Sequence, residues 1–244
     1  MDAALGLVLQ KLKSAGFYDD TLLIFSSDNG GPTDFGASNW PLRGGKHTLW
    51  EGGTRAISFV HSKRYFNQST IFHPLFHIVD WYPTIMNIAG ANVTKYGDGV
   101  NQWPALRGKS QIGRRNTIIY NIEDRCARAA IRHKNYKLIK GYAGEPGGWY
   151  PPEAGSNSNG SSDLSETRIQ QSRIGRSRLR VFNLKVDPTE RRDLARLPSM
   201  KLKVAQLLRR LAKFCRQEVP SVHKALDVRG HPANHNGTFA SGWC

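Results

Sequence analysis

Apolar residues recur at three- and four-residue spacing from Asp2 to Ala15, where Ala4, Leu5, Val8, Leu9 and Leu12 share one face. This predicts a short amphipathic helix, with Gly16 supplying the left-handed residue that ends it. After Tyr18-Asp19-Asp20 the spacing gives way to an unbroken apolar run, Thr21-Leu22-Leu23-Ile24-Phe25. Such a run predicts a strand buried on both faces, as in a parallel sheet under helices. It stops at Ser26-Ser27-Asp28-Asn29-Gly30-Gly31. Ligands of open α/β sheets bind at the carboxyl ends of strands, so this junction is the first candidate site.

Seven of the 24 glycines lie between Gly30 and Gly53, in a long loop that also holds Pro32 and Pro41. Gly52-Gly53-Thr54-Arg55 leads into a second strand, Ala56–Val60, and Phe76–Val79 reads as a third extended run. Asp80 is placed to cap a helix with Pro83 in its first turn and Gly90 after its end. Beyond this the grammar is that of hairpins: strands at Thr117–Asn121, Ala127–Arg132, Tyr136–Lys140 and Val181–Leu184, with a turn at His133-Lys134-Asn135. Met200 to Cys215 is a helix with Val204, Leu207, Leu208 and Leu211 on one stripe. The expected architecture is a doubly wound α/β piece over 1–110, then a small antiparallel sheet with a covering helix over 111–216. Within it, 144–180 reads as a loop insertion, and 217–244 as an irregular tail. With three candidate strands in the first part, the sequence reads as the carboxyl portion of a larger unit.

Composition narrows the partners. The 244 residues carry a net charge of +16, unevenly spread: 10 basic and 8 acidic residues in 1–110, but 25 and 11 in 111–244. That asymmetry suits either a polyanionic partner or a solvated basic face. No aromatic-interleaved RNA-binding or zinc-finger signature accompanies it, so nucleic acid is not expected. No run of about 18 apolar residues occurs, so no membrane span is expected, and no basic-then-apolar amino terminus marks a signal peptide. Cys126, Cys215 and Cys244 form no C-x-x-C pair and are too few for a disulfide framework. Four N-x-S/T sequons, at Asn67, Asn92, Asn159 and Asn236, lean towards a secretory route.

Asp28-Asn29 sets a carboxylate beside an amide carbonyl, hard oxygen donors of the kind Ca²⁺ takes, although that ion wants six to eight. The same four residues, D-N-G-G, are also ordinary turn chemistry. Lys46, eighteen positions on, stands in the glycine-rich stretch Arg43-Gly44-Gly45-Lys46, where an ammonium can approach an anion closely. The stretch does not satisfy the phosphate-binding pattern G-x-x-x-x-G-K-[ST]. Glu51 and Arg55, four apart, can pair and hold the loop. His47 is as readily an exposed structural residue as a catalytic one.

Ile24-Phe25-Ser26-Ser27-Asp28-Asn29-Gly30-Gly31, Asn39-Trp40-Pro41-Leu42-Arg43-Gly44-Gly45-Lys46 and Leu49-Trp50-Glu51-Gly52-Gly53-Thr54-Arg55 together resemble the type I sulfatases, arylsulfatase B-like forms in particular. The likeness continues through Val79-Asp80-Trp81-Tyr82-Pro83-Thr84, Trp149-Tyr150-Pro151-Pro152 and Asp187-Pro188-Thr189-Glu190. It implies part of the alkaline-phosphatase-like α/β fold, with a small carboxyl-terminal antiparallel sheet and helix. By position, it implies Asp28 and Asn29 as ligands of an active-site Ca²⁺ and Lys46 as a sulfate contact. It implies a sulfuric ester hydrolase acting on sulfate esters or sulfated glycans, in a lysosomal or secreted setting. A phosphate-ester hydrolase of the same superfamily would use Asp/His ligands instead of this Asp-Asn pair.

The family's nucleophile, a formylglycine made from the Cys of C-x-P-S-R, has no counterpart here, since Cys126 precedes Ala-Arg-Ala-Ala and Cys215 precedes Arg-Gln-Glu-Val. The paired-Asp ligand motif is also missing: Asp19-Asp20 precedes its strand. The chain alone is therefore expected to be inactive, either part of a hydrolase or a non-catalytic homologue that binds anionic glycans.

Overall fold

The computed structural model describes residues 1–91, 97–109, 115–123, 126–152, 179–219 and 227–238. Helix α1 (Asp2–Ser14) forms where the apolar spacing places it, with Asp2 in its first turn and Lys11 and Lys13 in its last, charges matched to the helix dipole. Gly16 follows at φ +76° and turns the chain out.

Strand β1 (Leu23–Ser26) forms as expected, but not in the expected setting. It pairs antiparallel with β2 (Ser58–His61) in a two-stranded sheet, Leu23 opposite His61 and Ser26 opposite Ser58. Its residues are half-buried or exposed, so the parallel, doubly covered strand is corrected. An unbroken apolar run says that both faces avoid water; it carries no information about the direction of the neighbour. The rings of Phe25 and Phe59 stack across the pair at 5.2 Å.

Between these strands lies the one-turn helix α2 (Glu51–Thr54). The extended run expected at Phe76–Val79 is instead a loop ending in a 3₁₀ turn, Ile78–Asp80. Reciprocal side-chain bonds close it: the His77 ring accepts from the Val79 N–H, and Asp80 accepts from the His77 N–H at 3.0 Å. Helix α3 (Trp81–Ile88) then starts after Asp80, with Pro83 in its first turn. Asp80 precedes α3 but does not cap it with its side chain. Its fully buried carboxylate turns to Arg115 at 2.5 and 2.7 Å and to the Val100 N–H at 2.8 Å. Burial alone would raise this carboxyl; Arg115 and the two N–H donors hold it below the ordinary range. A further turn of helix, α4 (Trp103–Leu106), precedes the second sheet.

Strands β3 (Thr117–Glu123), β4 (Arg128–His133), β5 (Tyr136–Lys140) and β6 (Leu179–Asn183) form an antiparallel sheet in chain order, as the hairpin pattern predicts. Lys134, at φ +54°, makes the turn that sets His133 opposite Tyr136. The two-residue period sorts the side chains. Ala129, Ile131, Leu138 and Val181 pack under helix α5 (Lys201–Cys215) through Val204, Leu207 and Leu211. Ala130, Ile139 and Phe182 point the other way and bury Leu49 and Trp50 from the glycine-rich loop. The sheet thus separates the loop from α5. Cys126 is bonded to Cys215, tying the β3–β4 connection to the end of α5. Cys244, the sequons at Asn92 and Asn159, and residues 153–178 of the expected insertion lie outside the described residues.

Candidate functional site

β1 ends at Ser26, and the next residue stays tied to the neighbouring strand, Ser27 N–H donating to the Ile57 carbonyl at 2.9 Å. Asp28 Oδ1 accepts from both the Asn29 N–H (2.8 Å) and Asn29 Nδ2 (2.7 Å), and the Ser27 hydroxyl donates to the Asn29 carbonyl at 2.8 Å. These bonds fold the Asp-Asn pair into a tight polar turn. They leave Asp28 Oδ2 and Asn29 Oδ1 without a donor among the described residues. Asp28 is exposed and Asn29 half-buried. Both line a broad open cleft of about 2260 Å³, together with His47, Thr48, Glu51 and Arg55.

Glycine lets the next segment come close. A Cβ on Gly30 would stand 1.6 Å from the Gly52 carbonyl oxygen, and one on Gly52 would stand 2.4 Å from the carbonyl oxygens of Arg43 and Gly44. Gly31 is the knot of the site. Its N–H donates to Asn39 Oδ1 and its carbonyl accepts from Asn39 Nδ2, each at 2.8 Å, and the same carbonyl accepts the Lys46 N–H at 3.2 Å. Lys46 is therefore pinned beside the residue that follows Asn29-Gly30, although eighteen positions separate it from Asp28. The structure ties the Lys46 backbone to Gly31; Asp28 and Asn29 line the cleft and Lys46 does not, and no hydrogen bond or ion pair joins the Lys46 ammonium to Asp28 or Asn29. His47 is exposed at φ +73°, and its carbonyl accepts from Arg128.

A buried ionic cluster anchors the loop. The Glu51 carboxylate pairs with Lys137 at 2.9 Å, with Arg132 3.8 Å away, and not with Arg55. Lys137 is wholly buried and also lies 3.0 Å from Glu190 Oε1, while Glu190 Oε2 accepts the Glu51 N–H at 2.7 Å. Burial would push the Glu51 carboxyl up, but Lys137, Arg132 and Arg55 hold it below its ordinary value. Glu190, buried and facing Glu51, is raised despite Lys137. Burial works against the Lys137 ammonium, yet the two carboxylates outweigh it and raise its pKa. Beside this cluster the Arg43 guanidinium lies 3.6 Å from the Trp50 ring and 4.5 Å from that of Trp149. Sequence reasoning missed Lys137, Glu190 and this stack. One signal was present: Lys137 falls on the same inward face of β5 as Ile139.

The donor chemistry suits a hard cation in kind. Asp28 and Asn29 offer only oxygens, side by side and open to a cleft, as Ca²⁺ requires, but they are two of the six to eight donors it takes. Among the described residues no group of three or more His, Cys, Asp or Glu could hold a metal. Among the described residues a formylglycine does not fit: Cys126 and Cys215 are joined to each other.

The family profile for Sulfatase matches residues 1–91. Arylsulfatase J of Mus musculus is 36% identical over 264 residues, covering 98% of this chain and 42% of its own. The chain belongs to the sulfatase family. An ulvan-active sulfatase of Formosa agariphila is 25% identical over 228 residues, covering 88% of this chain and 36% of its own. Among solved structures, Ps i-CgsB in complex with k-i-k-neocarrahexaose superposes with a TM-score of 0.64 at 26% identity, over 88% of this chain and 40% of that one. The expected partial sulfatase fold, with its small antiparallel sheet and helix, is thereby borne out. The chain spans about two-fifths of the length of the curated relatives it matches. No described helix is long and apolar enough to cross a membrane.

Proposed function

We propose that this chain is the carboxyl-terminal portion of a sulfuric ester hydrolase acting on sulfate esters, sulfated glycans among them. Asp28 and Asn29 would hold a Ca²⁺ ion with further ligands from outside these residues, and Lys46 would contact the sulfate group. When bound, the cation supplies fixed positive charge facing the anionic sulfate oxygens. Asp28 and Asn29 line the cleft, and the Gly31 carbonyl fixes where Lys46 leaves the backbone. The observation that carries this reading is that junction: one carbonyl binds the Lys46 N–H while the Asp28 carboxylate stays exposed at the cleft.

In this reading residues 1–110 belong to the catalytic α/β domain and 111–216 to a subdomain that buttresses its loop. The Cys126–Cys215 bond and the exposed sequons at Asn67 and Asn236 support an oxidising, lysosomal or secreted route. The chain supplies one metal carboxylate and no nucleophile, so residues 1–244 alone do not turn over. The test is hydrolysis of 4-nitrophenyl sulfate with Ca²⁺ present. Residues 1–244 release no nitrophenol; measurable release overturns the claim of inactivity. A second reading, a non-catalytic homologue that binds anionic glycans, is favoured by the bonded state of Cys126 and Cys215. It predicts Ca²⁺-independent glycan binding untouched by Asp28→Ala.

A further inference from the structure

Helix α5 contains no acidic residue in its fifteen positions, KLKVAQLLRRLAKFC. Lys201 and Lys203 stand in its first turn, where the helix dipole disfavours cations. Nor is this offset by pairing: Lys203, Arg209, Arg210 and Lys213 form no ion pair among the described residues. The helix lies on the sheet face that carries His133 and Tyr136. There Lys203 Nζ sits 5.2 Å from the centre of the Tyr136 ring. Lys203, Arg210 and Lys134 bear together on the His133 imidazole, whose pKa burial and these three cations lower. Lys203 and Arg210 are seven residues apart, so they share one helical face at about 10 Å separation. Like charges are thus gathered on one surface at an electrostatic cost, with no ion pair among the described residues to offset them.

We propose that the surface formed by Lys134, Lys203 and Arg210, flanked by Arg209 and Lys213, is a docking site for a sulfated polysaccharide, separate from the candidate sulfate site. The separation is architectural: α5 covers one face of the β3–β6 sheet and the Lys46 loop packs on the other. A polymer held there is retained while another part of it, or another molecule, occupies the cleft. Nucleic acid fits less well. The Tyr136 ring at the centre of the surface is engaged by Lys203, and the Cys126–Cys215 bond belongs to an oxidising compartment. Only the choice of sulfate as the anion rests on the sulfatase reading; the surface itself does not.

The test is isothermal titration of residues 1–244 with a heparin dodecasaccharide over a series of NaCl concentrations. The parent is compared with Lys134→Ser/Lys203→Ser/Arg210→Ser, with a control Lys11→Ser/Lys13→Ser/Lys63→Ser, and with Lys46→Ala. The first variant is expected to bind at least tenfold more weakly and to lower the slope of log Kd against log salt by about two to three, one counterion term per lost contact. The control stays within twofold of the parent, and Lys46→Ala weakens binding by less than the surface variant. Circular dichroism melting confirms that each variant is folded. The proposal is overturned if the surface variant binds like the parent, or if the control weakens binding equally. Tighter binding to duplex DNA or to phosphatidylserine vesicles also overturns it. Loss of binding in Lys46→Ala places the probe in the cleft, which overturns the separate surface while sparing the sulfatase reading.

Discussion

Replacing Lys137 by Met removes the one cation lodged between two buried carboxylates. Lys137 has no exposed surface and stands 2.9 Å from Glu51 and 3.0 Å from Glu190, which are themselves 2% and 0% exposed. Met fills a similar volume, so the packing loss is small and the electrostatic loss dominates. Breaking a buried pair from one side costs about 3–5 kcal/mol, because the partner charge stays buried. Against a typical total of about 5–15 kcal/mol, that is a large share of stability. Urea unfolding of residues 1–244, followed by tryptophan fluorescence, measures it; Trp50 and Trp149 flank Arg43 beside the cluster and report on it. The triple variant Glu51→Gln/Lys137→Met/Glu190→Gln removes every charge of the trio and should recover most of the loss, a non-additivity expected of one coupled network. Hydrogen exchange at residues 43–55 should rise in the single variant, since Glu51 roots that loop to β5. The reasoning fails if Lys137→Met lies within about 1 kcal/mol of the parent, or if the triple variant is no more stable than the single one.

Three further outcomes follow from the same structure. Cys126→Ser/Cys215→Ser opens a loop spanning 89 residues of separation and should lose about 4–5 kcal/mol on the chain-entropy view, read as an earlier urea midpoint. Gly52→Ala puts a methyl 2.4 Å from two carbonyl oxygens; a cost of about 1–3 kcal/mol or more is expected, with raised exchange at Gly30 and Gly31, and an unchanged midpoint would contradict the close approach. Asp80 is held below its unfolded value, so its contribution is complete above about pH 4 and disappears as pH falls through the folded value. The stability of Asp80→Asn should therefore lie well below the parent at pH 7, and the gap should narrow as pH falls below the unfolded value; a gap that keeps its full size in acid would refute the assignment.

The second half of the fold was largely legible because its signals are local. Alternation fixed the faces of β3 to β6, Lys134-Asn135 marked the turn, and the stripe of Val204, Leu207 and Leu211 marked α5. The first half was less so. Strand direction is a property of partners distant in sequence, and Leu23–Ser26 meets Ser58–His61 antiparallel where an unbroken apolar run suggested a parallel neighbour. At Phe76–Val79 an exchange of bonds between His77 and Asp80 decided for a turn over a strand. Asp28, Asn29 and Lys46 were visible as chemistry, and the bond that ties the Lys46 backbone to Gly31 was not. The partner of Glu51 was not visible: a four-residue spacing suggested Arg55, whereas Lys137 lies 86 positions away. Spacing of that order is set by how the loop packs on the sheet, which no local pattern encodes.

The account turns on whether Asp28-Asn29 and Lys46 act on one cation and one sulfate. A ¹H–¹⁵N correlation spectrum of residues 1–244, titrated first with CaCl₂ and then with Na₂SO₄, tests this directly. With two ligands supplied, weak binding is expected, with Kd of about 1 mM or above. Ca²⁺ should shift the Asp28 to Gly31 amides and the Asn29 side-chain NH₂, and Asp28→Ala should abolish those shifts. Sulfate should then move Lys46, and only when Ca²⁺ is present. Shifts that fall elsewhere, that survive Asp28→Ala, or that reach Lys46 equally without Ca²⁺ would contradict the account.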